Sequence, residues 1–296
     1  VLTDLDRLQI ERLPCWKGNL RILPLSGGMT NRNYRVDDDV GSHVVRLGHD
    51  LPHHGVDRAF EQAVCQAAHA AGLSPAIEHA EPGVMVMAYV DGRTLEPDTF
   101  RDVRTLAAVS PLIRRCHQEI PPLLNGPART FCPFESVRRY AVELRNRNSP
   151  WNRDLDDLLA LNDHLERGLP PSEPAFGHND LLAGNLIDDG RRLWLIDWDY
   201  AAYSRPLFDL ANLATNNALD ADLERVLLES YLQRAPDAAT WQEYRALRVA
   251  SLLRETFWSL MSELLPTADF DYAGYTRTNL ARLDAERRRY ERRGPT

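Results

Sequence analysis

His178, Asp180 and Asn185 fall in one short stretch, His178-Asn-Asp-Leu-Leu-Ala-Gly-Asn185, and a further carboxylate, Asp197, follows in Leu193-Trp-Leu-Ile-Asp-Trp-Asp199. Phosphoryl transfer to a hydroxyl needs one carboxylate to orient the attacking oxygen, with an amide and a second carboxylate to hold Mg²⁺ against nucleotide phosphates. The spacing H-x-D-x-x-x-x-N supplies Asp180 for the first task and Asn185 for the second, and Asp197 completes the set. Asp and Asn are also common turn and cap residues, so any one of them alone reads equally well as turn chemistry. The ordered set, carried by apolar strands, is what points to a site. His178 reads as a structural residue that braces the loop backbone through its ring nitrogens.

The elements that must position these groups are legible around them. Asn185-Leu-Ile187 and Leu193-Trp-Leu-Ile196 are short apolar runs on either side of Asp188-Asp-Gly190, which favours a hairpin turn with positive φ. Pairing the two runs would bring Asn185 and Asp197 together. If Ile196 to Asp199 is extended, Asp197 and Asp199 point the same way and both face the metal. Trp194 and Trp198 read as core.

Upstream, Leu20 to Leu25, Asn31 to Val36, His43 to Leu47, Ile77 to His79 and Val84 to Val90 predict an antiparallel sheet. Val56 to Ala71 has helical spacing and ends at Gly72 and Pro75. Thr3 opens a short leading helix with a capping-box-like start and with Leu2, Leu5 and Leu8 on one face. Beyond Asp91-Gly92 the texture changes to long helical patterns over Asp98 to His117, Glu135 to Arg145, Asp154 to Arg167, Leu219 to Arg234 and Thr240 to Leu264. The fold class expected is α+β and bilobal: residues 1–90 as a small β-rich nucleotide-binding lobe and residues 91–296 as a larger, mostly helical catalytic and substrate-binding lobe, with ligand in the cleft between. The terminal Arg287-Arg-Arg-Tyr-Glu-Arg-Arg293 reads as a solvated helix end complementing the helix dipole.

Composition narrows the classes. A chain of 296 residues with 44% apolar and 26% charged residues can bury a full core. A net charge of -8 argues against a nucleic-acid partner and suits a cationic small molecule better. The longest apolar stretch, Val84 to Val90, is too short to cross a bilayer, and the first residues lack a signal pattern, so the expectation is a cytoplasmic protein with no membrane insertion. Cys15, Cys65, Cys116 and Cys132 lack metal-site spacing and read as reduced thiols. His53-His54 reads as no metal pair.

Further segments carry a resemblance. Ser26-Gly-Gly-Met-Thr-Asn31, Val44-Val-Arg46, Asp57-Arg-Ala-Phe-Glu61, Gly92-Arg-Thr-Leu95, the catalytic stretch and Phe208-Asp-Leu-Ala211 occur in this order. With that order and spacing the chain resembles the choline/ethanolamine kinase branch of the aminoglycoside phosphotransferase superfamily, over most of its length. The resemblance implies a protein-kinase-like fold, ATP and Mg²⁺, and an amino-alcohol acceptor.

For the nucleotide, glycines let backbone N–H groups approach phosphate oxygens. Gly27 and Gly28 read as such a loop or as an ordinary hairpin turn; the resemblance favours the loop and makes Asn31 its shaping residue. A strand-borne cation held by a glutamate on the next helix contacts the phosphates in kinases, and Arg46 and Glu61 stand in those places. Arginine here departs from the lysine of protein kinases and is similar to choline kinases. Main-chain contacts to the base are expected from Met87 to Tyr89.

For the acceptor, the resemblance places Asp199 where choline kinases carry glutamate as a metal ligand, and makes Tyr200 and Trp258 candidate aromatic walls for an ammonium group. Trp258 reads equally as a core aromatic on an amphipathic helix. Met261 and Asn216 depart from the pattern, standing where a second tryptophan and a glutamate are found. Asp209 reads as a helix cap that ties down the catalytic loop. Choline or ethanolamine are the first acceptors implied; thiamine, an aminoglycoside, another alcohol, or a nucleotide-binding protein without turnover stay open.

Overall fold

The computed structural model describes residues 2–25, 31–268 and 270–292. Helix α1 (Asp4–Glu11) starts where the Thr3 hydroxyl accepts a hydrogen bond from the Asp6 amide. Strands β1 (Arg21–Leu25), β2 (Arg32–Asp37), β3 (Ser42–Leu47), β4 (Ile77–Glu81) and β5 (Val84–Ala88) form an antiparallel sheet in the order β1-β2-β3-β5-β4. Alternation divides its two faces. Val45, Leu47, Val84 and Val86 pack with Ile10 and Leu13 into a small outer core, while Val44, Arg46 and Met87 line the opposite, cleft-facing side.

The inward face of α1 is not the leucine face. Leu5 and Leu8 are 73% and 64% exposed, and Asp6 and Ile10 turn inward instead. Asp6 accepts hydrogen bonds from Arg32 Nε and Nη2 and from the Tyr34 hydroxyl, the last at 2.6 Å. Charge-assisted hydrogen bonds of this kind contribute about 1.5–3 kcal/mol each, enough to outweigh the apolar spacing in fixing which face turns in.

Helix α2 (Arg58–Ala70), capped by the Asp57 carboxylate on the Phe60 amide, leads from β3 back to the sheet. The crossover at residues 89–92 then enters β6 (Arg93–Thr94), which pairs with β8 (Leu186–Asp188); β8 pairs in turn with β9 (Leu193–Leu195). A Cβ on Gly92 would lie 2.6 Å from the Asp188 carbonyl oxygen, so glycine alone lets the chain cross there.

The larger lobe holds α3 (Val103–Glu119), α4 (Pro133–Asn146), α5 (Leu155–Arg167), the strand pair β7 (Ala175–Gly177) and β10 (Ala202–Ser204), α6 (Pro206–Asn216), α7 (Ala221–Leu232), α8 (Ala238–Leu264) and α9 (Tyr272–Arg292). One apolar core runs from Val64 and Ala68 of α2 through Leu106, Ile113, Phe176, Phe208 and Leu253, so α2 belongs to the packing of both lobes. Helix α8 is buried on nearly all sides from Tyr244 to Met261. Apolar periodicity marks neither α6 nor α9, although the reading of Asp209 as a cap implies a helix at α6. Leu207 to Thr215 is buried all round, which erases a helical stripe, and α9 is mostly polar with few buried positions.

The basic end of α9 is only partly a solvated face. Arg287 and Arg288 make exposed one-turn pairs with Glu291 and Asp284, but Arg289 reaches the buried Glu224 at 2.8 and 3.0 Å, beside Arg248. Among the described residues no helix is long and apolar enough to cross a membrane.

Candidate active site

The stretch from His178 to Asn185 is a loop between β7 and β8, and its backbone is clamped to α6. Asp209 Oδ2 and Oδ1 accept hydrogen bonds from the His178 and Asn179 amides at 2.8 and 2.7 Å, and His117 Nε2 donates to the same carboxylate at 2.9 Å. Asp209 therefore ties down the loop, yet it lies in the first turn of α6 and Arg205 holds the cap position. Asn212, one turn on, accepts from the Leu181 amide at 2.6 Å.

Asn179 has φ 64° and spends its amide group on the carbonyls of Tyr200 and Ala202 at 3.0 and 3.2 Å. A Cβ on Gly177 would press on Ser204 Oγ, Asn179 Oδ1 and Asp209 Oδ2 at 2.8–3.1 Å, so the clamp needs glycine there. His178 is fully buried, packs tilted against Trp198 with ring centroids 4.7 Å apart, and donates from Nε2 to the Ile196 carbonyl at 3.0 Å.

These contacts aim Asp180 into a cleft cavity of about 480 Å³. Burial pushes its carboxyl up to about 7; Arg254 opposes the shift, and the neighbouring Glu255 and Asp197 add to it. Asn185 lines the same cavity, in a single tight turn before β8. Its Nδ2 donates to the Asp180 carbonyl at 2.9 Å, and its Oδ1 accepts no hydrogen bond among the described residues.

The hairpin forms with Leu186 opposite Leu195 and with Gly190 at φ 82°, and the Ile196 amide donates to the Asn185 carbonyl at 3.0 Å. Past β9 the chain is not extended. Asp197 sits at φ 68°, an uncommon conformation for a non-glycine residue that costs about 1 kcal/mol or more, and a turn follows. Asp197 and Asp199 meet because of this twist, not through strand alternation. Trp198 between them is core at 1% exposure. Trp194 is not: it lies under the Arg192 guanidinium and donates to Asp189 Oδ2 at 2.8 Å.

Across the cleft, Arg46 reaches down from β3. Its Nη1 contacts Glu61 of α2 and Asp199 Oδ1, the latter at 3.2 Å, and its Nη2 contacts Asp197 Oδ1 at 2.9 Å. Arg58, one turn before Glu61, adds Nη1 contacts of 2.7 Å to Glu61 Oε2 and 2.6 Å to Asp199 Oδ1, while its Nη2 donates to Asn31 Oδ1 at 2.6 Å. Burial works against the charge on Asp197, but Arg46 holds it below the ordinary carboxylate range. Burial together with Asp197 and Glu61 pushes Asp199 well above that range. Glu61, Asp197 and Asp199 place carboxylate oxygens within 4.8 Å of one another, a hard-oxygen donor set of the kind that suits Mg²⁺.

Gly27 and Gly28 lie outside the described residues. Met87 and Tyr89 line the upper cavity with Val44 and Ile187, and Arg35 covers the Tyr89 ring at 4.4 Å. Tyr200 and Trp258 line the lower end, where Trp258 Nε1 donates to the Tyr200 hydroxyl at 2.9 Å. Trp258 is only 4% exposed and stacks on His54, so it is a core aromatic that also walls the cavity. Tyr200 carries the Arg254 guanidinium over its ring at 4.1 Å.

The residues missed from sequence are Arg58, Arg254 and Glu255. Arg58 carries no local signal, because its contact with Asp199 spans 141 residues; for the other pair the signal was two adjacent charges inside an otherwise apolar helical run.

A model of the phosphotransferase enzyme family matches residues 21–247. The probable choline kinase 1 of Arabidopsis thaliana is 27% identical over 320 residues, covering 94% of this chain and 86% of its own. Protein LicA of Haemophilus influenzae is 25% identical over 268 residues, covering 88% and 77%. The crystal structure of a choline/ethanolamine kinase family protein from Mesorhizobium loti superposes with a TM-score of 0.78 at 26% identity, covering 97% of this chain and 95% of that one. The two lobes are those of the protein-kinase-like fold, and the chain belongs to the phosphotransferase enzyme family.

Proposed function

We propose that the protein is an ATP- and Mg²⁺-dependent kinase for the hydroxyl of a small amino alcohol, of which choline and ethanolamine are the first to test. The observation that carries this is the convergence on one cavity of Asp180, Asn185 and Asp197 with Arg46, which Glu61 holds from α2. The names of the similar proteins support a small-molecule kinase of this family.

In this reading residues 1–90 supply the nucleotide side and residues 91–296 the acceptor side. Met87 and Tyr89 border the base, Arg46 meets the phosphates while Glu61 holds it, and Asn31 shapes the loop carrying Gly27 and Gly28. Asn185, Asp197 and Asp199 would hold Mg²⁺, which when bound neutralises phosphate charge during transfer. Asp180 accepts the proton of the acceptor hydroxyl. The oxygen then forms its bond to the γ-phosphorus as the bond from that phosphorus to the β,γ-bridging oxygen breaks, and ADP leaves. Tyr200 and Trp258 wall the acceptor. In this reading the reaction runs in the cytoplasm, and the net charge of -8 suits a cationic small molecule better than a nucleic acid or an anionic membrane.

A panel of hydroxylated amines with Mg²⁺ and ATP, read by ADP release, tests the proposal. Turnover of at least one amino alcohol is expected. Nucleotide binding without turnover of any hydroxyl compound would leave a binding protein instead.

A further inference from the structure

The middle of α8 brings a charge to the acceptor end of the cleft that an aromatic ammonium cage would not require. Arg254 is 2% exposed and lines the cleft cavity beside Asp180, Tyr200 and Trp258. It also lines a second, smaller cavity of about 110 Å³ behind the Asp199-Tyr200 wall, with Arg129 and Arg139.

One nitrogen of the guanidinium is committed. Nη1 donates to Glu255 Oε2 at 3.0 Å, and Glu255 is held from its other oxygen by the Tyr275 hydroxyl at 2.6 Å. Nε and Nη2 have no hydrogen-bond acceptor among the described residues, although both are buried. Those two nitrogens form one edge of the guanidinium plane, the edge whose parallel N–H groups match the two oxygens of a carboxylate. Arginine stays charged, and buried charged N–H groups without an acceptor are costly and uncommon in folded proteins.

The same guanidinium lies on the Tyr200 ring at 4.1 Å, so the protein's own cation already occupies one of the two faces of that ring. His54 stacks on Trp258 with ring centroids 5.2 Å apart, and the Trp258 N–H is spent on Tyr200.

We infer that Arg254 is an acceptor-specificity residue, and that the preferred acceptor carries a carboxylate next to its hydroxyl-bearing carbon chain: a hydroxylated amino acid in place of a bare amino alcohol. The inference rests on the kinase reading above and narrows its substrate class. Nε and Nη2 of Arg254 hold the carboxylate, Glu255 keeps the guanidinium in place, and Asp180 takes the hydroxyl proton as before.

Matched acceptors decide it. Serine and ethanolamine differ by the carboxylate alone; homoserine and 3-aminopropanol are the same pair with one more methylene. The expected result is a kcat/KM at least 10-fold higher for the carboxylate-bearing member of one pair in the wild-type protein. Arg254→Met should erase that preference, mainly through KM, and Arg254→Lys should restore part of it, with Mg²⁺-ATP affinity unchanged in both. The wild-type ratio stands as a test even if the methionine variant fails to fold. A gain below 10-fold for the carboxylate-bearing member in both pairs, or better turnover of choline than of either amino acid, would overturn the inference while leaving the kinase reading in place. Absence of turnover for every hydroxyl compound would overturn both.

Discussion

Arg46 and Asp197 touch across the cleft, Nη2 to Oδ1 at 2.9 Å, although 151 residues separate them in the chain. That contact joins the sheet of the small lobe to the hairpin of the large one, and Glu61 completes it from α2. Removing one partner of a buried ion pair leaves a charge unmatched, at a cost of about 3–5 kcal/mol. Glu61→Ala and Arg46→Ala should therefore each weaken Mg²⁺-ATP binding, and the double variant should lose much less than the sum. Calorimetric titration of the four proteins checks this; additive losses would mean that the two residues act separately. Asp197→Ala should abolish the Mg²⁺ dependence of nucleotide affinity, and an unchanged dependence would displace the metal site.

Asp180 links activity and stability with opposite signs. Its carboxyl titrates at about 7, so kcat/KM should rise with pH through that region as the proton-accepting form appears. Asp180→Asn should cut turnover by about 10²-fold or more while nucleotide affinity stays near wild type. For stability, a carboxyl raised in the folded state favours folding fully below about pH 4, and that contribution is lost as pH climbs from about 4 through about 7. The charged form then costs up to roughly 4 kcal/mol, which a neutral amide avoids. Without nucleotide or metal, Asp180→Asn should match wild-type Tm near pH 4 and exceed it by several degrees at pH 8. A constant Tm difference across that range would refute the assignment of the buried charge.

Asp209 gives a different kind of test, because it touches the loop from His178 to Asn185 only through backbone. Its two oxygens take the His178 and Asn179 amides, and His117 supports it from α3. Asp209→Asn exchanges an acceptor for a donor facing an N–H. Turnover should drop by about 10-fold or more with ATP affinity little changed, and amide hydrogen exchange in residues 177–182 should quicken. Unaltered exchange would mean that the loop is held elsewhere.

How much of this was legible in sequence follows from which interactions are local. The antiparallel strands, α2 and the hairpin around Gly190 have period-two or helical patterns and turn residues of their own, and their bounds lie within a few residues of expectation. The approach of Arg46 and Glu61 was legible because a strand and the next helix must pack closely. Arg58 was not, since its partner Asp199 lies 141 residues away and nothing in Asp57-Arg-Ala-Phe-Glu61 announces a second cation. The inward turn of Asp6 failed for the same reason: Arg32 and Tyr34, which fix it, belong to another element. Extended geometry for Asp197 assumed that the strand continues, whereas the chain leaves β9 at Leu195 and takes positive φ two residues later.

His54 supplies a prediction about the wall of the acceptor pocket. It is 1% exposed between Tyr140, whose hydroxyl lies 3.0 Å from Nδ1, and the stacked Trp258. Burial, with His53, Arg254 and Arg139 adding to it, lowers its pKa to about 2, so the folded protein keeps it neutral. An unfolded histidine binds a proton below about 6.5. Its contribution to stability is thus present above pH 6.5 and shrinks as pH falls toward 2, by about 2 kcal/mol at pH 5. Replacing it with glutamine, which keeps a polar contact for Tyr140 but cannot titrate, should flatten the fall of Tm between pH 7 and pH 5 whatever its effect on Tm at pH 7. Parallel Tm curves for the two proteins would show that proton uptake by His54 on unfolding is not what lowers stability in acid.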